Sequence, residues 1–223
     1  MKNCMYFVNY TKKTVTAPLL EAGYGFRPDG GWRQKPLPDG ADGILIDDRC
    51  LPSRRGTEAA LDALAQWSGT ILLDFERPPV PELLALVRSL PCGRLVCPPC
   101  FAELPHAAVL TGPWPGNGGF LRWLAQQQAR FGAVVLDAVP LRRRARPGCA
   151  REPLEAPPPE RGFFCPGALC LHRRLADGSL LFWDTKQSLT ARCRAAGVPC
   201  VVFEQDWYAL PSGAPEELRF FPK

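Results

Sequence analysis

Short apolar runs recur along the chain, each bounded by turn residues, and several are followed by a segment with helical periodicity. The runs at residues 133–136 and 198–203 are continuously apolar, which is typical of strands covered on both faces. The pattern predicts eight strands, at residues 5–9, 43–47, 70–76, 94–97, 107–110, 133–137, 180–183 and 199–204. It predicts four helices, at residues 57–67, 80–90, 119–131 and 188–196. Gly132 and Gly197 stand where a C-terminal glycine would end the last two.

The alternation of strands and helices favours a parallel sheet, and about eight strands favour its closure. We therefore expect one α/β domain over residues 1–223, a (β/α)8 TIM-like barrel that is trimmed or incomplete at this length. Residues 25–42, 112–119 and 141–161 lack clear periodicity and are predicted to be long loops.

Composition is ordinary for a globular protein, with 46% hydrophobic and 22% charged residues. The net charge of +5 is modest, and much of it lies in the arginine cluster at residues 142–146, so we predict no nucleic-acid partner. The apolar run at residues 4–8 is too short for a secretory signal or a membrane span. We expect a cytoplasmic protein with reduced thiols and no membrane partner, and the oligomeric state stays open.

Acidic residues stand at the ends of several predicted strands. Asp74 and Glu76 are two residues apart, so they lie on the same face of their strand. In a parallel barrel the carboxyl ends of the strands form the ligand-binding mouth. Other predicted strands end in Asp47 and Asp48, in Asp137, and in Glu204 followed by Asp206. The sequence thus predicts a cluster of carboxylates at one end of the barrel.

Each of these acids also has a structural interpretation. Carboxylates at strand ends cap the following helix or pair with arginines such as Arg49 and Arg77. Taken together, two like charges on one strand face repel unless a ligand or a counter-charge neutralises them, which favours a site at Asp74 and Glu76.

Two segments resemble family-18 glycoside hydrolases, the chitinase-like and spore-hydrolase-like barrels. Residues 181–203 contain Trp183-Asp184, then Ser188-Leu189 at the start of a basic helix, then Gly197-Val-Pro-Cys-Val-Val-Phe, and they resemble that family's last βαβ unit. Leu73-Asp74-Phe75-Glu76 resembles the end of the family's Asp-x-x-Asp-x-Asp-x-Glu strand, although Gly69 and Leu72 stand where the family has two earlier aspartates.

The resemblance implies a role for each acid. Glu76 corresponds to the acid that protonates the glycosidic oxygen, and Asp74 to the carboxylate that positions the N-acetyl group of the substrate. In that family the sugar's own amide is the nucleophile. Asp137 corresponds to a further supporting acid, and Glu204 stands where the family usually has a tryptophan and could supply another carboxylate.

A sugar site also needs apolar faces, because aromatic rings pack against sugar rings. The predicted substrate-binding set consists of Asp48, Trp114, Trp183, Trp207 and Tyr208, which lie in predicted loops or at strand ends. Cys92, Cys97 and Cys100 form a C-x4-C-x2-C run without a fourth ligand at matched spacing. We therefore predict no metal site and no cofactor.

The leading hypothesis is a glycosidase-like barrel that acts on or binds an N-acetylhexosamine-containing glycan. One alternative is a catalytically inactive barrel that binds a carbohydrate or a partner. Another is a phosphate-ester or nucleotide enzyme that holds Mg²⁺, since Asp47, Asp48, Asp74 and Glu76 suit hard cations.

Overall fold

Eight parallel strands close into a barrel in which the first strand pairs with both the second and the last. The computed structural model describes residues 5–9, 18–33, 35–37, 39–90, 92–103, 107–116, 119–146, 151–154, 158–159 and 161–212. Around the barrel the strands are β1 (Met5–Asn9), β2 (Leu19–Tyr24), β3 (Gly43–Asp47), β4 (Thr70–Asp74), β5 (Leu95–Cys97), β6 (Ala108–Leu110), β7 (Val134–Asp137) and β13 (Cys200–Phe203).

Most barrel strands, such as β3 and β4, are apolar on both faces, and each face is covered. Inward-facing side chains fill the interior as one cluster: Tyr6, Val8, Leu20, Ala22, Leu45, Leu72, Val96, Val135 and Val201. On the outer face, Ile44 and Ile71 pack with Leu64 and Leu83 of the first two helices. A strand buried in this way needs a continuous apolar run, which is the pattern that identified most of these strands.

Helices follow some of the strands. They are α1 (Arg54–Leu64), α2 (Pro81–Ser89), α3 (Phe120–Phe131), α4 (Lys186–Ala196) and α5 (Glu204–Tyr208), with 3-10 turns at Cys92–Arg94 and Pro99–Phe101. Ser53 caps α1 by accepting a hydrogen bond from the Gly56 N–H at 3.1 Å. Thr185 and Ser188 form a reciprocal capping box on α4. The predicted glycines Gly132 and Gly197 do end α3 and α4, with φ of 74° and 63°.

A second, antiparallel sheet is inserted between β7 and α4. It contains β8 (Arg142–Ala145), β9 (Glu152–Pro153), β10 (Phe163–Cys165), β11 (Cys170–Arg174) and β12 (Leu180–Trp183), in the order β10-β11-β12-β8-β9. Leu169, in the turn before β11, and Cys170, the first residue of β11, pack in one buried cluster with Leu136 and Val202 of the barrel. The inserted sheet and the barrel therefore share a hydrophobic core.

The structure confirms a closed α/β barrel and corrects three sequence predictions. Residues 180–183 do form a strand, but it belongs to the inserted sheet, and the eighth barrel strand is β2. The predicted loop at residues 141–161 contains β8 and β9. The last barrel strand ends at Phe203, and Glu204 begins α5. Among the described residues, none of the helices has the length and apolarity needed to cross a membrane.

Candidate functional site

Three aspartates occupy the last inward-facing positions of their strands. Asp47, Asp74 and Asp137 each follow an interior core residue by two positions, the preceding residues being Leu45, Leu72 and Val135. Because side chains alternate along a strand, the three aspartates lie directly above the apolar interior, at the carboxyl end of the barrel. Asp47 and Asp74 are register partners on adjacent strands. The predicted carboxylate cluster is thus present at one end of the barrel.

Asp74 and Glu76 open into a solvent-accessible hollow of about 430 Å³ at this end. Asp47 and Asp48 contribute two more carboxylates to its wall. The rest of the lining is Arg49, Arg77 and Pro78. The hollow therefore brings together acids from β3 and β4 that are far apart in the sequence.

Asp74 and Glu76 differ in their exposure. Asp74 is half-buried, and this burial raises the pKa of its carboxyl, as do the nearby charges of Glu76, Asp47 and Asp48, while Arg49 acts in the opposite direction. Glu76 lies beyond the end of β4 with its side chain exposed. Neither carboxylate has a hydrogen bond or an ion pair among the described residues. Both are available to a ligand.

Asp47 is buried and held from two sides. Its carboxylate contacts the Arg33 guanidinium at 3.4 Å and accepts a hydrogen bond from the Arg49 N–H at 3.3 Å. Gly25 follows β2 with φ of 148°, and a Cβ at this position would lie 2.9 Å from the Asp47 carbonyl oxygen. A glycine is therefore required where the loop after β2 passes over the end of β3.

Asp48 joins the ends of β3 and β4. Its two carboxylate oxygens accept hydrogen bonds from the Glu76 N–H at 3.2 Å and the Arg77 N–H at 2.7 Å. Arg77 returns a hydrogen bond from Nε to the Asp48 carbonyl at 2.9 Å. Asp48, predicted to bind substrate, thus lines the hollow while its carboxylate fixes the backbone that carries Glu76.

Asp137 lies across the mouth on β7. Burial raises the pKa of its carboxyl to about 7, and the charges of Asp74 and Asp206 act in the same direction. The Thr111 hydroxyl accepts a hydrogen bond from the Asp137 N–H at 3.1 Å, which fixes the end of β7 against β6. The buried Oδ1 atom of Asp137 has no hydrogen-bond partner in the part of the chain that the structure describes. This residue is therefore suited to exchange a proton near neutral pH.

Two further acids lie on α5, directly after the last barrel strand. Glu204 is buried, with 2% of its surface exposed, and it is not among the residues that line the hollow. Asp206 is half-buried, and burial raises the pKa of its carboxyl. Its charge also acts on Asp137, which places Asp206 on the mouth side of α5.

The predicted aromatic residues lie outside the lining of the hollow. Trp114 is 7% exposed and packs edge-on against Phe120. Trp183 is 1% exposed and lies in the core of the inserted sheet with Leu171 and Leu181. Neither ring presents a face to solvent.

Trp207 and Tyr208 stand at the end of the chain's last described helix. Trp207 is half-buried against Phe7, with ring centroids 5.4 Å apart, and Tyr208 is 49% exposed. The Lys186 ammonium lies over both rings, at 5.8 and 5.6 Å from their centroids. These two rings therefore lie on α5 next to one lysine, and the exposed Tyr208 is the last residue of the helix.

No group of three or more His, Cys, Asp or Glu side chains within the described ranges is arranged to hold a metal ion. Of the predicted cysteine run, Cys97 is buried and Cys100 exposed, both as free thiols. The side chain of Cys92 lies outside the described residues.

Sequence reasoning missed Arg33 and Thr111, which hold Asp47 and Asp137 in place. Arg33 lies in the loop after β2, and its contact with Asp47 depends on a strand that the apolar pattern did not reveal. Thr111 directly follows a three-residue strand, where a single hydroxyl carries no distinctive signal. Asp206 was visible in the sequence as an acid after the last strand.

Half-buried carboxyls with raised pKa values suit proton transfer to and from a bound ligand. Of the carboxyls with a raised pKa, Asp74 lines the hollow, whereas Asp137 and Asp206 lie outside its described lining. Acid–base chemistry on a molecule in the hollow would therefore involve Asp74 first. Comparisons of the chain with protein-family models, with curated proteins and with solved structures gave no match in any of the three. The chemistry of this site therefore has to be inferred from its own residues.

Proposed function

We propose that the chain is a (β/α)8 barrel of the family-18 glycoside hydrolase type that binds an N-acetylhexosamine-containing glycan in the hollow and cleaves it. The observation that carries the proposal is the shared opening of Asp74 and Glu76 into a hollow whose wall holds two further carboxylates. A sugar presents many hydroxyl donors, which match a wall of carboxylate acceptors.

Glu76 is the proposed general acid. Its backbone is fixed by Asp48, while its carboxylate extends into the hollow without a partner among the described residues. Glu76 thus has a fixed backbone and a carboxyl group open to a ligand, which suits the role of an acid that reaches a glycosidic oxygen.

Asp74 is the proposed substrate-positioning carboxylate. It lies between the interior core and Glu76, where it would face the N-acetyl group of a sugar bound below the general acid. Asp137 has a carboxyl pKa of about 7 and would donate a hydrogen bond in its protonated form.

A second candidate is the same barrel binding the glycan without cleaving it. The exposure of Glu76 favours this candidate, because a general acid usually needs burial to hold its proton at neutral pH. The absence of aromatic side chains from the described lining of the hollow points the same way.

The test compares Glu76→Gln with the wild type on N-acetylglucosamine oligomers that carry a fluorogenic leaving group. Loss of a general acid lowers kcat by a factor of about 100 to 10,000. We expect such a loss with binding, measured by calorimetry on the unlabelled oligomer, retained. Glu82→Gln is the matched control, since Glu82 is an exposed acid in the first turn of α2.

Full activity in Glu76→Gln would contradict its role as the acid. Binding by the wild type without any cleavage would support the second candidate. If the wild type neither binds nor cleaves these oligomers, both candidates are rejected.

A further inference from the structure

Three buried nitrogen donors lack a partner at the junction of the barrel and the inserted sheet. They are Trp114 Nε1, Arg151 Nη1 and Arg192 Nη1, none of which has a hydrogen-bond acceptor among the described residues. A buried donor without an acceptor loses its hydration and gains nothing in return, so such atoms are uncommon in native proteins. Three of them in one region therefore require an explanation.

The three side chains belong to one neighbourhood. The Arg192 guanidinium carbon lies 5.7 Å from the centre of the Trp114 ring. Arg151 Nη1 lies 3.1 Å from the position that a Cβ would occupy at Gly116, two residues after Trp114. The loop after β6, the segment before β9 and helix α4 thus each contribute one of these donors to the same neighbourhood.

The charges at the junction do not balance. Arg192 is paired with Asp184 at 2.7 Å, and both side chains are buried, with 3% and 0% exposure. Arg151 has no carboxylate partner among the described residues, and its guanidinium lies 5.4 Å from the centre of the Phe182 ring. Arg151 is half-buried, so its charge is only partly solvated, and no carboxylate among the described residues offsets it, which favours a counter-ion.

We propose that this junction holds one chloride-sized anion, bound by the indole N–H of Trp114 and by guanidinium N–H groups of Arg151 and Arg192. A monatomic anion has no preferred directions, so three donors from separate side chains can satisfy it. A phosphate has four oxygens and would need more donors than the junction supplies. The anion would neutralise the surplus charge and fasten the inserted sheet to the barrel.

The direct test is a crystal of the full chain soaked in sodium bromide, with data collected at the bromine absorption edge. Bromide replaces chloride and gives an anomalous signal that water cannot give. We expect an anomalous peak in contact with all three nitrogens. Water at this position, or bromide peaks on other surfaces only, would overturn the proposal.

A thermal melt provides the solution test, with chloride exchanged for a bulky organic anion at constant ionic strength. An anion at 100 times its dissociation constant raises the Tm of a chain of this length by about 5 °C or more. We expect the chloride-dependent rise in the wild type and its loss in Trp114→Phe, which keeps the aromatic ring but removes the N–H, and in Arg151→Gln.

Arg146→Gln is the matched control, because Arg146 lies just after strand β8 of the same sheet and already has a partner, Glu152, at 3.6 Å. This variant should keep the chloride response. An equal response in Trp114→Phe and Arg151→Gln would contradict the site, because it would show a general salt effect.

Discussion

The carboxylates at the barrel mouth fall into two groups according to what their oxygens contact. Asp47 and Asp48 accept hydrogen bonds from Arg33 or from backbone amides, so they hold loops in place. Asp74, Glu76 and Asp137 have no such side-chain partners in the described part of the chain. The sequence shows all five acids at strand ends, but it cannot separate these groups, because the partners of Asp48 lie 28 and 29 residues away.

Asp48→Ala tests the structural half of this division. The substitution leaves the amides of residues 76 and 77 without their charged acceptor, and we expect a loss of about 2–4 kcal/mol in the free energy of unfolding. Asp48→Asn keeps one acceptor oxygen and should lose less. Urea denaturation measures both, and an Asp48→Ala protein as stable as the wild type would show that these bonds do not hold the loop.

The raised pKa of the Asp137 carboxyl predicts how the stability of the fold depends on pH. This pKa is about 7 in the folded chain, against 3.8 for an unperturbed aspartate. Between these pH values the folded chain holds a proton that the unfolded chain has released. The contribution of Asp137 to the free energy of unfolding is therefore complete below about pH 4, and it is lost as the pH rises to about 7. Asp74 and Asp206, whose carboxyl pKa values are also raised, act in the same direction.

We therefore expect Asp137→Asn to gain stability relative to the wild type between pH 5 and pH 8, by an amount on the order of 1 kcal/mol or more. Chemical denaturation of both proteins at the two pH values measures this difference. Parallel pH profiles would mean that Asp137 is ionised throughout and that its burial is compensated.

At the scale of elements, burial decided which strands the sequence revealed. Strands such as β3 and β4 are buried on both faces and read as unbroken apolar runs. β2 is different, because its residues alternate between buried and half-buried and include Glu21 and Gly23. The alternation of apolar and polar residues in β2 could have identified it as a strand, but Glu21 and Gly23 within six positions obscured this pattern.

The inserted sheet was concealed for another reason. β8 contains three consecutive arginines, so the segment has few apolar residues and was predicted to be a loop. Arg144 is held by an acid of the turn between β11 and β12, since its Nη2 contacts Asp177 Oδ2 at 2.5 Å. Asp177-Gly178 is a hairpin signal between β11 and β12, and it marks β12 as antiparallel to its predecessor.

Asp184 connects three elements, and its removal should be costly. Its carboxylate accepts hydrogen bonds from the Leu141 N–H at 2.6 Å and the Ser188 hydroxyl at 2.9 Å, besides pairing with Arg192. Asp184→Ala leaves a buried guanidinium without its counter-charge, and we expect a loss of about 3–5 kcal/mol in the free energy of unfolding.

Glu152→Ala breaks a half-exposed ion pair with Arg146 in the same sheet and should cost no more than about 1 kcal/mol. Urea denaturation compares the two variants. Similar losses in both would show that the Asp184 contacts do not join the sheet to the barrel.

At the scale of the whole molecule, the succession of predicted strands indicated a closed barrel correctly, although one strand was assigned to the wrong sheet. Eight strands were expected and eight close the barrel, with β2 in the place given to residues 180–183. The error follows from the insertion: residues 181–203 resemble one βαβ unit, yet only α4 and β13 belong to the barrel wall. A sequence pattern records the succession of elements but not which sheet each strand joins.

The same limit applies to the site. The sequence placed Asp74 and Glu76 on one strand over residues 70–76, but β4 ends at Asp74 and Glu76 lies beyond it. Both acids nevertheless line one hollow with Asp47 and Asp48. Trp114 lies in a loop and Trp183 at a strand end, as expected, but both are buried, because they pack against a sheet that the sequence did not reveal.

The most direct test of the proposed sugar binding at the mouth is a crystal structure of the Glu76→Gln protein with an N-acetylglucosamine oligomer. This variant should trap the intact oligomer. We predict electron density for the sugar in the hollow, with the residue 76 side chain within hydrogen-bond reach of a glycosidic oxygen and Asp74 beside an N-acetyl group. An empty hollow at saturating oligomer, or a sugar bound only elsewhere on the molecule, would contradict the account.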